Sequence, residues 1–192
     1  MNDRIKNMQT EVLCKNWHTL KKITFEYLQE DGTCQTQSRE VYDRGNGAVI
    51  LLYNKQERSV ILTKQLRIPT YINGNSDGMM IEACAGLLDN DNPEDCIKRE
   101  TEEETGYKIN HVKKVFEAYM SPGSVTEILY FFVAEYSKEM KVNEGGGLAS
   151  EHEDIEVMEM SFEDALHEIE GGEIKDAKTI MLIQYLRLKN IL

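Results

Sequence analysis

Residues 85–107 read Ala85-Gly86-Leu87-Leu88-Asp89, then Asn90-Asp91-Asn92-Pro93-Glu94-Asp95, then Cys96-Ile97-Lys98-Arg99-Glu100-Thr101-Glu102-Glu103-Glu104-Thr105-Gly106-Tyr107. The first five residues close a strand-like apolar run. Asn92 can cap a helix, Pro93 suits its first position, and Glu94 and Asp95 complement the positive end of its dipole. Gly106 supplies the stop. The stretch therefore predicts a strand, a short loop and a helix from Pro93 to Thr105.

Within that helix Glu100, Glu103 and Glu104 stand at i, i+3 and i+4, so their carboxylates leave one face while Glu102 points away. Each like-charge pair at this spacing costs about 0.2–0.5 kcal/mol in an isolated helix, so the patch is mildly unfavourable unless a cation sits on it. All-oxygen ligation with room for water and phosphate oxygens selects Mg²⁺, with Mn²⁺ possible, over zinc. A solvated acidic face in a Glu-rich chain has the same spacing. What favours the metal reading is the ordered strand, loop and helix around the acids.

Upstream, Ala48-Val49-Ile50-Leu51-Leu52-Tyr53 is a continuous apolar run suited to a strand buried on both faces. Further strands are predicted at 59–65, 112–119 and 128–136. Ser161-Phe162-Glu163-Asp164 is close to a capping box and opens a helix that ends near Gly171-Gly172, and a last helix is predicted from Ala177 to Leu188. Between Asp3 and Val41, alternating runs flank a turn at Glu30-Asp31-Gly32-Thr33, the pattern of a small antiparallel unit. The texture changes at Arg44-Gly45-Asn46-Gly47, which divides the chain into residues 1–44 and an α/β domain over 45–192. The Gly-rich, acidic stretch from Asn143 to Asp154 reads as a mobile loop near a site.

The 192 residues carry 34 Asp and Glu against 22 Lys and Arg, a net charge of -12, with 41% hydrophobic and 29% charged residues. This is the composition of a globular chain of one domain with an appendage. No apolar run approaches the ~20 residues of a membrane span, so no membrane partner is expected. The negative excess repels a polyphosphate backbone, and no cluster of basic and aromatic residues offsets it, so no nucleic-acid partner is expected. Met1 to Lys22 lacks the pattern of a secretory signal, and a cytoplasmic location is expected. Cys14, Cys34, Cys84 and Cys96 form no C-x-x-C pair and read as reduced structural thiols. A serine nucleophile has no G-x-S-x-G elbow to hold it.

The strand, loop and helix of residues 85–107 resemble the Nudix box, the signature of hydrolases acting on nucleoside diphosphates linked to another moiety. Arg99, Glu100, Glu103, Glu104 and Gly106 match its pattern. Asn92 stands where its first Glu is expected, six residues rather than seven separate that position from Arg99, and Thr101 and Tyr107 replace aliphatic residues. The likeness continues over essentially the whole chain, through Arg39 to Ala48, Ser121-Pro122-Gly123 with Thr126-Glu127, and Gly145-Gly146-Gly147 with Glu153 to Val157. It points to the branch of the family that splits GDP-mannose into GMP and mannose 1-phosphate. It implies an α/β/α sandwich with a mixed sheet, preceded by a small N-terminal antiparallel β unit exchanged between the subunits of a homodimer.

The same resemblance implies the site. Glu100, Glu104 and the backbone carbonyl of Ala85 would be metal ligands, with Glu103 a further ligand or a supporting carboxylate. Glu153 would be the loop glutamate, with Glu151 the competing register. Such a carboxylate beside metal-activated water takes its proton or holds it in line, typically worth ~10²–10⁴-fold. Arg67 is the candidate for a bidentate phosphate contact. Ala85, Gly86 and Leu87 would line the substrate. Trp17 would stack on the guanine, with core or dimer packing as the equal alternative. Ser38, Arg39 and Glu40 would reach the ligand of the partner subunit, and Glu127 and Lys178 would contact sugar or phosphate. His152 is counted as a substrate contact and not as the base, because an exposed loop histidine is more often simply solvated. Hydrolysis of ADP-ribose, or a nucleotide-binding module without chemistry, are the competing functions.

Overall fold

The computed structural model describes residues 2–192, with the side chain of Glu151, the competing loop glutamate, outside the described residues. The chain forms two compact units: residues up to Asn46 together with Tyr119–Ile128, and Gly47–Ala118 together with Leu129–Leu192.

The first unit is an antiparallel sheet of three strands in sequence order: β1 (Ile5–Lys15), β2 (Thr19–Leu28) and β3 (Cys34–Asp43). The β2–β3 register runs unbroken from Thr19↔Asp43 to Leu28↔Cys34. The turn that sets it is built by Asp31, whose carboxylate accepts from the backbone N–H of Thr33 at 2.8 Å and from its hydroxyl at 2.6 Å. Strand β1 is an edge exposed along its whole length, and Ile5, Met8, Val12 and Leu13 lie open on it. The Ser121-Pro122-Gly123 segment belongs to this unit, where Tyr42 donates its backbone N–H to the carbonyl of Ser124 at 2.7 Å.

The second unit is a mixed sheet with helices on it. Its path is β10 (Glu156–Ser161), β5 (Ser59–Leu66), β4 (Gly47–Asn54), β9 (Ile128–Glu135) and β8 (Lys113–Tyr119). Strand β4 runs parallel to β9 and antiparallel to β5. Two short strands open the sheet: β6 (Met79–Glu82) pairs with the far half of β5 from Thr63 to Leu66, and β7 (Ala85–Leu87) pairs with Gly47 to Val49 of β4. The peptide between β6 and β7 is thereby brought to the middle of the sheet.

Strand alternation sends Ala48, Ile50 and Leu52 to one face of β4, where they join Ile97 of helix α2 (Pro93–Thr105), Phe132, Ala134 and Tyr136 in a closed core. Val49 and Leu51, equally buried, point the other way, toward the side on which α4 (Ala177–Leu188) packs with Leu182, Ile183 and Leu186 buried. This is the α/β/α sandwich expected from the sequence. The remaining α-helices among the described residues are α1 (Ile68–Ile72), which the sequence reading omits, and α3 (Phe162–Gly171). No helix among the described residues is long and apolar enough to cross a membrane.

Candidate active site

Helix α2 has the predicted bounds. The side chain of Asn92 accepts from the backbone N–H groups of Glu94 and Asp95, and Gly106 ends the helix in the left-handed conformation at φ 79°. Asn92, which stands in place of the box's first Glu, is thus the N-cap.

The helix presents its acids unequally. Glu104 is 3% exposed and accepts from the backbone N–H of Ala85 at 3.3 Å. Glu100 lies over Gly86, whose missing side chain leaves the space; a Cβ there would meet its carboxylate. Glu103 and Glu100 both pair with Nη1 of Arg99, each at 3.0 Å. Glu102 points away and pairs with Lys108 at 3.4 Å. A cavity of about 680 Å³ opens beside this helix, lined by Lys98, Arg99, Glu103, Lys108, Gly147 and Leu148 among others.

The glycine stretch is not a free tether. The backbone N–H groups of Gly146 and Gly147 donate to the carbonyls of Glu104 at 2.9 Å and Glu103 at 3.1 Å, covering the open end of α2. The loop then turns so that Glu153 accepts from the backbone N–H of Leu148 at 2.9 Å, and a Cβ at Gly147 would strike the same carboxylate.

Glu153 is close enough to the helix to act electrically on it. Burial first, then repulsion by Glu103 and Glu153 against partial relief from Arg99, pushes Glu100 up to about 7. Burial first, then repulsion by Glu100 and Glu153, pushes Glu104 up to about 8. Among the described residues no group of three or more His, Cys, Asp or Glu side chains forms a finished metal-ligand set. The donor chemistry nevertheless fits a hard divalent cation: Glu100 and Glu104 lie against β7, Glu153 repels both, and binding of a cation would turn that repulsion into attraction. Cys84 and Cys96 are buried, and burial pushes both thiols up, Cys96 to about 12, which disfavours the thiolate at both positions.

Arg67 precedes α1 and Lys178 lies in the first turn of α4; both reach the buried carboxylate of Glu82, each at 2.6 Å. Sequence reasoning named the two cations and missed Glu82, whose only signal is one acid at the end of the apolar run Met79-Met80-Ile81.

In the other unit, Trp17 is 86% exposed at the β1–β2 turn and stacks on His18 at 5.1 Å, which excludes burial in the core of this chain. Ser38, Arg39 and Glu40 are exposed on β3, with the Ser38 hydroxyl 3.0 Å from that of Thr24 and Arg39 donating to Gln37 at 3.1 Å. Glu127 lies 3.5 Å from Arg44. His152 is exposed and adopts a left-handed φ of 58° after the short turn at 149–151.

The NUDIX domain family matches residues 43–182, and the family described as GDP-mannose pyrophosphatase NudK N-terminal domain matches residues 4–42. A GDP-mannose pyrophosphatase of Yersinia pestis (strain Pestoides F) is 57% identical over 188 residues, covering 98% of this chain and 94% of the relative. Proteins of the same name from Yersinia enterocolitica and Cronobacter sakazakii are 55% and 50% identical over 192 residues, the full length of both chains in each case. With the box helix folded as its sequence requires and the match spanning the whole domain, the chain belongs to the Nudix family of hydrolases.

Proposed function

We propose that this chain hydrolyses GDP-mannose to GMP and mannose 1-phosphate. The observation that supports the chemistry is the placing of Glu104 against the backbone amide of Ala85 and of Glu100 over Gly86, with Glu153 held by the amide of Leu148 in the loop that covers the end of the same helix. The substrate follows from full-length relatives named GDP-mannose pyrophosphatase.

The family implies a divalent cation, and hard oxygen donors favour Mg²⁺, with Mn²⁺ as the substitute. Glu100, Glu104 and the Ala85 carbonyl would hold it, and when bound it would polarise the phosphoryl group and activate water. Glu153 receives or orients the water's proton from a loop fastened at its glycine half. Glu103, tied to Arg99, supports the same patch. Arg67 and Lys178 contact phosphate or sugar, and the backbone of Ala85, Gly86 and Leu87 lines the substrate.

The exposed edge strand β1 with its apolar residues supports an N-terminal unit, residues 1–44, exchanged in a homodimer. That unit brings Trp17 to the guanine and Ser38, Arg39 and Glu40 to the partner's ligand, while Glu127 and His152 complete the contacts. Four free thiols favour the cytoplasm.

The test is nucleoside monophosphate release from GDP-mannose and, separately, ADP-ribose with Mg²⁺, with Glu104→Gln as control. Preferred GMP release that vanishes in the variant supports the proposal. Faster AMP release overturns the substrate, and no release from either overturns the chemistry.

A further inference from the structure

Glu82 ends β6 with its side chain 6% exposed, and its two oxygens serve two different cations. Oε2 accepts from Nε of Arg67 and Oε1 accepts from Nζ of Lys178, each at 2.6 Å. Lys178 also donates to Oδ1 of Asp176 at 2.7 Å. Asp176 caps α4, its Oδ2 accepting from the backbone N–H of Thr179 at 2.9 Å and from the Thr179 hydroxyl at 2.5 Å. That hydroxyl in turn accepts from the backbone N–H of Ala83 at 2.6 Å, next to Glu82 in the chain. The start of α1, the end of β6 and the start of α4 are therefore fixed on one carboxylate.

The cluster holds two acids and two bases, so it carries no net charge with which to draw an anion from a distance. What it offers is direction. Arg67 is held by Nε, its side chain is 40% exposed, and among the described residues neither Nη donates a hydrogen bond. A guanidinium fixed this way presents two donors in the geometry that grips two oxygens of one phosphate. Lys178 has three N–H donors, two of which are spent within the cluster.

We propose that Glu82 is a positioning residue that locks Arg67 and Lys178 into one preset phosphate-binding pair for the diphosphate substrate. The assignment rests on the reading above of those two cations as substrate contacts. Its value lies in geometry: a cation already fixed loses no alignment in the transition state, and misplacement by about 1 Å can cost about 100-fold.

Glu82→Gln keeps one acceptor and turns an amide N–H₂ toward the other cation. The cluster then carries an unbalanced positive charge and one loosened donor. Ground-state attraction for phosphate is kept and alignment is lost, so kcat falls about 10–100-fold while KM stays within about threefold. A purely structural role would lower the active fraction and the melting temperature together, in every background.

The experiment measures kcat, KM and melting temperature for wild type, Glu82→Gln, Arg67→Ala, Lys178→Met and the two double variants that include Glu82→Gln. The doubles restore charge balance and keep the cycle readable if Glu82→Gln alone folds poorly. The expected result is strong coupling: Glu82→Gln costs less than about threefold in kcat once Arg67 is Ala or Lys178 is Met. Additive effects in an active wild type overturn the assignment alone. A wild type inactive on GDP-mannose overturns the substrate reading and this assignment with it.

Discussion

The backbone amide of Ala85 donates to the carboxylate of Glu104 at 3.3 Å, joining β7 to the last turn of α2. The contact puts a nearly buried acid against the strand whose carbonyl is the proposed metal ligand. Glutamine at this position is isosteric and can still accept from Ala85, so Glu104→Gln preserves the fold. It also removes a buried carboxylate repelled by Glu100 and Glu153. In chelator its melting temperature is therefore expected to equal or exceed that of wild type, while GMP release at saturating Mg²⁺ falls by about 10²–10⁴-fold. Retention of more than a tenth of wild-type activity would remove Glu104 from the ligand set.

The raised values of Glu100, about 7, and Glu104, about 8, fix the sign of a pH effect. Both groups bind protons more tightly in the folded chain than at their ordinary value of 4.5. The stability they contribute is complete below that value and is lost as pH rises through about 7 and 8. Melting temperature in chelator should fall across this interval. Because Mg²⁺ competes with protons for the same oxygens, its stabilising effect should grow over the same interval. A Mg²⁺ effect that shrinks with rising pH would separate these two groups from the metal.

Gly86 tests the cradle. A Cβ there would strike the carboxyl end of Glu100, which is the far end of a flexible side chain and can move aside. Gly86→Ala should therefore cost under about 1.5 kcal/mol of stability yet displace Glu100, a proposed ligand. The measurable outcome is an increase of about tenfold or more in the Mg²⁺ concentration for half-maximal activity, with a folded, cooperative melt. An unchanged Mg²⁺ requirement would show that Glu100 binds the metal from another rotamer or not at all.

Local chemistry made α2 and α3 readable. The caps of Asn92 and Ser161 lie within three residues of the amides they satisfy, and both accept as their positions require. Strand β4 was readable because burial on both faces leaves no polar position in the run. Helix α1 and strands β6 and β10 were not: β10 alternates acids with Val157, Met158 and Met160 and becomes a strand by pairing with β5, far off in the chain. Glu82 was invisible for the same reason, since its cations stand 15 and 96 residues away. The glycine loop read as mobile because its anchors, the last carbonyls of α2, exist only once the helix has ended beside it.

Trp17 separates base recognition from assembly. It lies open on the β1–β2 turn, and among the described residues only His18 stacks on it, so Trp17→Ala removes no core contact and should leave the melting temperature within about 2 °C, as surface changes cost at most about 0.5 kcal/mol. Stacking on a base is worth about 1–3 kcal/mol. If Trp17 supplies it for guanine, KM for GDP-mannose rises about 5–150-fold, kcat stays within about threefold, and the loss is equal at all protein concentrations. Packing in a dimer gives a different signature: the variant dissociates on dilution in size-exclusion chromatography, and activity per site falls with it. Steady-state kinetics at two enzyme concentrations about 100-fold apart, with the oligomeric state measured at each, distinguish a base platform from an interface anchor.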